Sequence, residues 1–181
     1  SFCSVTPMFG KQYRHMPVEQ VIGELQQGTS VQVFFYDDHF AADKNRTKLL
    51  LERIIEEKRK GTIRVHGFSA QVRSDIAKKP ELLDLMEKAG FNTLFIGFES
   101  VNPETLKIYK KGQSVDDIGR AVTEIRRRNI RIHGMFVFGS DADDEDTFSA
   151  TVRFARKSNI ETVQFLILTP LPGSVHYREL A

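Results

Sequence analysis

The 181-residue sequence predicts an α/β fold built on one parallel sheet. Two observations carry this. Five short runs are rich in β-branched and aromatic residues: 31–36, 62–69, 93–98, 131–138 and 162–168. Between them lie segments whose apolar residues recur at helical spacing, with start or stop residues at their ends. Such alternation argues for right-handed βαβ crossovers and a parallel sheet. The spacing fits a curved, incomplete barrel and a flat doubly wound sheet equally well.

Residues 1–16, with Pro7 and Gly10, read as a loop. Pro17 suits the first position of a helix whose Val18, Val21, Ile22 and Leu25 form one buried face, and Gly28 stops it. Val31 to Tyr36 reads as a strand buried on both sides, ending in Asp37-Asp38-His39. Asp43 can cap the next helix, which carries Leu50, Leu51, Ile54 and Ile55 inward. A strand from Thr62 to Ser69 leads into Ala70-Gln71-Val72-Arg73. Pro80 opens and Gly90 closes a helix with Leu82, Leu83 and Met86 inward. Thr93 to Phe98 is a strand ending in Glu99-Ser100. Asn102-Pro103-Glu104 starts a short helix and Gly112 breaks it. Ser114 starts another with Val115, Ile118, Val122 and Ile125 inward. After the strand Arg131 to Phe138, the acidic stretch Asp141 to Asp146 leads into a helix bearing Phe148, Val152 and Ala155. Thr162 to Leu168 is the last strand, followed by Thr169-Pro170-Leu171-Pro172-Gly173.

No linker or low-complexity segment divides the chain, so residues 1–181 read as one domain. Lys and Arg total 26 against 24 Asp and Glu. That balance gives no electrostatic case for a nucleic-acid or membrane partner, and no apolar run reaches the length of a membrane span. The Arg126-Arg127-Arg128 run, in the last turn of a helix, reads as a solvated face. A single cysteine, Cys3, forms no internal disulfide. The chain starts without methionine and stops where a helix begins, so it reads as a piece of a longer, cytoplasmic protein.

In parallel α/β folds ligands bind at the carboxyl ends of the strands. Here those ends carry Asp37 and Asp38, then Gln71 and Arg73, then Glu99 and Ser100, then Gly139 to Asp143, and last Thr169-Pro170. The rim is polar and mixed in charge, with Gly97 and Gly139 where backbone can approach a ligand. It suits a zwitterion with hydroxyls better than a polyphosphate, and no glycine-rich phosphate loop is present. Each residue also has a plainer reading. The aspartates serve as turn polars and caps, and Asp143 in particular reads as a helix cap. Gln71 and Arg73 read as surface residues. His133 and Gln164, within strands, need partners wherever they point inward.

These phrases resemble the radical S-adenosylmethionine (SAM) superfamily, in particular its branch with an amino-terminal cobalamin-binding domain. The family's cluster loop has three cysteines, with three and then two residues between them, the last after an aromatic residue, as in Phe2-Cys3. Phe34-Phe35-Tyr36-Asp37-Asp38-His39-Phe40, Ile96-Gly97-Phe98-Glu99-Ser100, Gly134 to Gly139 with Asp143, and Leu168 to Gly173 resemble its successive strand-end motifs. Tyr13-Arg14-His15-Met16-Pro17 resembles the phrase after the cluster loop. A glutamate is commoner in the family at the position of Asp143.

The resemblance implies an incomplete parallel (βα) barrel, with the second to sixth strands of a six-stranded, TIM-like partial barrel. It implies a [4Fe–4S] cluster with Cys3 as one metal ligand, SAM as the molecule it cleaves to a 5′-deoxyadenosyl radical, and possible cobalamin-dependent methyl transfer. Asp37 and Asp38 would meet the SAM ammonium, Gln71 or Arg73 its carboxylate, and Glu99 and Ser100 the ribose. Gly139 and Asp143 would line the site and the Thr169 backbone would meet adenine. With one cysteine the chain is expected to hold no cluster and to be inactive alone. The strand at 31–36 is expected to be an uncovered edge, prone to self-association. The substrate stays unspecified. Two other readings are a barrel enzyme holding a divalent metal on Asp37, Asp38 and Glu99, and a non-catalytic α/β interaction module.

Overall fold

The computed structural model describes residues 3, 5–10 and 12–180. Five strands form one sheet: β1 (Gln32–Phe35), β2 (Gly67–Val72), β3 (Phe91–Glu99), β4 (Arg131–Phe138) and β5 (Thr162–Ile167). All neighbouring pairs are parallel, in the order β1-β2-β3-β4-β5. A doubly wound sheet reverses its strand order part-way. This one never does, so right-handed crossovers place the intervening helices along a single face. The architecture is an open, barrel-like α/β sheet.

Strand periodicity then divides the residues. On the helix-covered face Phe68, Ala70, Leu94, Ile96, Phe98, Ile132 and Phe136 are wholly buried. The other face carries Ser69, Gln71, Thr93, Phe95, Gly97, His133 and Met135, all partly exposed. The covering helices are α3 (Lys44–Arg59), α4 (Pro80–Ala89), α6 (Val115–Arg126) and α7 (Glu145–Lys157), with α2 (Val18–Gln27) against α3. A 3-10 turn at Ser74–Lys78 precedes α4, and α5 (Pro103–Ile108) precedes α6. The start signals act as read. Asp43 accepts from the Arg46 amide, Asn102 from Glu104 and Ser114 from Asp117, and Gly90 ends α4 at φ 99°.

Several expectations change. Residues 1–16 hold a short helix, α1 (Val5–Phe9). β1 is exposed or half-buried along its length, not buried on both sides, because it is one edge of the sheet. β1 is thus the edge expected from the sequence, and β5 is the opposite edge, with every one of its residues exposed. β2 starts five residues late: Ile63 and Val65 are buried by packing, without ladder bonds. On α7 the buried face is Thr147, Thr151 and Ala155, and Phe148 and Val152 are exposed. Their apolar spacing marked a stripe that faces outward, where the Phe148 ring meets Phe138 at 4.5 Å. The arginine run is not simply solvated. Arg126 pairs with Glu161, Arg127 with Glu124, and Arg128 ties α6 to Asp84 on α4 at 2.6 Å. Among the described residues no helix is long and apolar enough to cross a membrane.

Glu57, near the end of α3, is buried and accepts from Thr62 Oγ1 (2.7 Å), Lys60 Nζ (2.9 Å), Gln26 Nε2 (2.9 Å) and Arg53 Nη1 (3.2 Å). These donors, Thr62 first, hold its carboxyl down at about 2. A depressed carboxylate adds stability that is complete above its ordinary value of 4.5 and is lost as pH falls toward 2. Glu57→Gln is therefore expected to lower the melting temperature by a few degrees at pH 7. The gap from wild type should close between those two values in a pH series of thermal melts.

Candidate functional site

At the carboxyl ends of the strands, on the face that α3, α4, α6 and α7 leave open, lies a cavity of about 570 Å³, lined in part by Val5 and Thr6 of α1. Its lining includes Cys3, Asp38, Gln71, Arg73 and Glu99, five of the ten residues singled out from sequence. Each arrives by strand geometry. Gln71 shares the uncovered face of β2 with Ser69, and Arg73 follows one step beyond its end. Asp38 follows β1, and the exposed Cys3 reaches the rim just ahead of α1.

Glu99 is the most constrained member. It is 8% exposed and sits at φ +67°, a left-handed conformation that costs a side-chain-bearing residue about 1–3 kcal/mol. The register between β3 and β4 shifts there: Gly97 faces Met135, but Glu99 faces Phe136. That bulge turns the Glu99 side chain back over its own strand. Lys111 Nζ meets Glu99 Oε1 at 2.6 Å. A Cβ built on Gly97 would stand 2.5 Å from the same oxygen, so the space at Gly97 belongs to this carboxylate.

The other candidates play other parts. Asp37 does not line the cavity. It lies near Tyr13, whose phenol is raised by burial and by that carboxylate. Ser100 is buried and its Oγ accepts from the Asn102 amide at 3.0 Å, closing a turn. Asp143 is not the cap of α7; Asp144 is, accepting from the Thr147 amide. Asp143 Oδ2 instead accepts from the amides of Gly139 (2.9 Å) and Ser140 (3.0 Å), and its Oδ1 from Thr105 Oγ1 (2.7 Å). It fixes the turn that Gly139 makes at φ 109°. Thr169 is exposed and donates to the Ile167 carbonyl, outside the cavity lining. His133 finds its partner within the sheet, in Thr162 Oγ1 at 2.9 Å, and Gln164 is exposed.

The structure adds His39, Tyr109, Lys111, Gln113 and Met135 to the lining. Burial holds the His39 imidazole below its ordinary value, against the opposing pull of Asp75, and its buried Nδ1 finds no hydrogen-bond partner among the described residues. Burial, with Asp143, Glu99 and Asp141 nearby, pushes Tyr109 up to about 12. Lys111 and Gln113 come from the connection between α5 and α6. Their only sequence signal was position: they follow a strand end and flank Gly112. Among the described residues no group of three or more His, Cys, Asp or Glu is placed to hold a metal ion, so Asp37, Asp38 and Glu99 do not form such a set.

The cavity at these strand ends gathers carboxylates, an amide and cations around one thiol. The family model described as "Radical SAM superfamily" matches residues 1–170. The chain belongs to the radical SAM superfamily. Among curated relatives, the bacteriochlorophyllide d C-12(1)-methyltransferase of Chlorobaculum tepidum is 31% identical over 99% of this chain and 40% of its own length. The hopanoid C-2 methylase of Rhodopseudomonas palustris is 28% identical over 94% of this chain and 33% of its own. The radical SAM chain thus spans a third to two-fifths of these relatives. Among solved structures, the radical SAM methyltransferase TsrM of Kitasatospora setae, with cobalamin and a [4Fe-4S] cluster bound, superposes with a TM-score of 0.70. It is 20% identical and covers 83% of this chain and 31% of that one. At that identity the likeness speaks for the fold, an open radical SAM barrel.

Proposed function

We propose that these 181 residues are the SAM-binding part of an iron–sulfur enzyme that transfers a methyl group with cobalamin. The observation that carries this is the single cavity at the strand ends that takes in Cys3, Asp38, Gln71, Arg73 and Glu99 together. Its volume falls within the roughly 300–1,000 Å³ of small-molecule sites. Its donors and acceptors match a ligand that is an amino acid at one end and a nucleoside at the other. Asp38 accepts from the ammonium, Gln71 or Arg73 donates to the carboxylate, and Glu99 accepts from the ribose hydroxyls. Asp143 and Gly139 hold the neighbouring turn, Ser100 closes the turn after Glu99, and the Thr169 backbone flanks the adenine. Asp37, beside Tyr13, lies next to this contact in sequence.

Cys3 would hold one iron of a [4Fe–4S] cluster, which supplies the electron that splits the sulfonium. The chain has one cysteine, so two ligands come from outside these residues and the chain alone does not turn over SAM. Support for methyl transfer and for cobalamin comes from the methyltransferase relatives and from the cobalamin-bound TsrM.

Binding can be tested without a cluster, by titrating S-adenosylhomocysteine into the chain and following it by ligand-observed NMR. Saturable binding, weakened about tenfold by Asp38→Ala, is expected. No binding to the wild type, with tight uptake of Mg2+ or Mn2+ instead, would reject this reading in favour of the divalent-metal one.

A further inference from the structure

We propose that Lys111 is a positioning residue: it holds Glu99 in the orientation that reads the ribose hydroxyls of the nucleoside ligand. This rests on the SAM-binding reading given above, to which it adds a residue with no assigned role.

The geometry argues it step by step. Glu99 points where it does only because three features coincide: the left-handed φ, the bulge between Gly97 and Glu99, and the missing side chain at Gly97. None of these fixes the last torsions of a glutamate, which are broad in a free side chain. Lys111 does so, with Nζ on Oε1 at 2.6 Å, and leaves Oε2 for a ligand. Both side chains are largely screened from water, at 29% and 10% exposed, so the pair is stiffer than a surface ion pair.

Lys111 is itself held in place. It sits between Lys110 at φ 53° and Gly112 at φ 62°, two left-handed residues that turn the connection toward the cavity. Gln113, two residues on, donates from Nε2 to the Phe98 carbonyl at 3.0 Å, and its Oε1 accepts from Ser74 Oγ. The connection is thereby tied to β3 beside Glu99 and to the turn after β2. Lys111, Gln113, Glu99 and Gly97 all face the same cavity. The plainer alternative is that the ion pair only fastens the connection to the sheet. That role would affect stability and all ligands alike.

The distinguishing measurement is a ratio. Adenosine and 2′,3′-dideoxyadenosine are each competed against S-adenosylhomocysteine on the wild-type chain, Lys111→Met and Lys111→Arg. The wild type should prefer adenosine by about tenfold, the worth of a hydrogen bond to a charged acceptor. Lys111→Met should bring that ratio close to one, and Lys111→Arg should restore most of it. An unchanged ratio in Lys111→Met overturns the proposal and leaves the SAM-binding reading standing. A wild type that binds S-adenosylhomocysteine without preferring adenosine overturns it too. A wild type that binds none of the three overturns both.

Discussion

Gly97→Ala is expected to cut nucleoside affinity by about tenfold or more while the chain stays folded. The new methyl carbon would stand 2.5 Å from Glu99 Oε1 and 3.8 Å from Lys111 Nζ, and it would meet no backbone atom within that range. The conflict therefore falls on the free end of a side chain. The carboxylate swings away, the ion pair with Lys111 opens, and the strand stays in register. Thermal melts should move little, whereas the adenosine preference measured by competition should collapse as it does in Lys111→Met. A large loss of stability with unchanged adenosine preference would show that Gly97 serves the sheet and not Glu99.

Phe98→Ala is expected to do the opposite, destabilising the fold by about 3–5 kcal/mol. Phe98 is one residue along the same strand, yet it is wholly buried among the covering helices, 5.7 Å from the ring of Phe136. A Cβ on Gly134 would stand 3.2 Å from the Phe98 ring, so that glycine already yields its space to the phenyl group. Little else can move in to fill the cavity left by alanine, because Phe98 belongs to a close-packed core in which Ile96, Ile118 and Ile125 are also wholly buried. Against a total stability of roughly 5–15 kcal/mol, this loss removes a large share. Urea unfolding measures it directly. A shift below about 1 kcal/mol would mean that the core closes over the gap.

The contrast between these neighbours follows from the two-residue period of a strand: odd and even positions of β3 serve different purposes. Gly97 belongs to the cavity and Phe98 to the core.

Much of this could be read from residues in order. The five strands, the helix caps at Asp43, Asn102 and Ser114, and the stop at Gly90 all depend on local backbone chemistry, which a short window of sequence contains. The strand-end residues Asp38, Gln71, Arg73 and Glu99 could be named because a parallel sheet gathers its strand ends on one rim.

Other features had no local signal. Phe148 and Val152 keep helical spacing, but which stripe of α7 turns inward depends on where the helix meets the sheet, and Thr147 and Thr151 hold that place. Asp143 and Asp144 are chemically alike. Only the turn at Gly139 decides that one holds the turn and the other caps the helix. The choice of an open barrel over a doubly wound sheet lies in the strand order, a relation between segments far apart in the chain.

The sequence by itself determined the parallel α/β class, the polar rim and the family phrases, because those rest on period, composition and short motifs. Only the tertiary structure decided that Lys111 grips Glu99 and that Asp37 turns away from the cavity where Asp38 lines it. Those outcomes depend on how the chain folds back on itself, as where Lys111 returns to Glu99 across α5 within one crossover, which no short motif encodes.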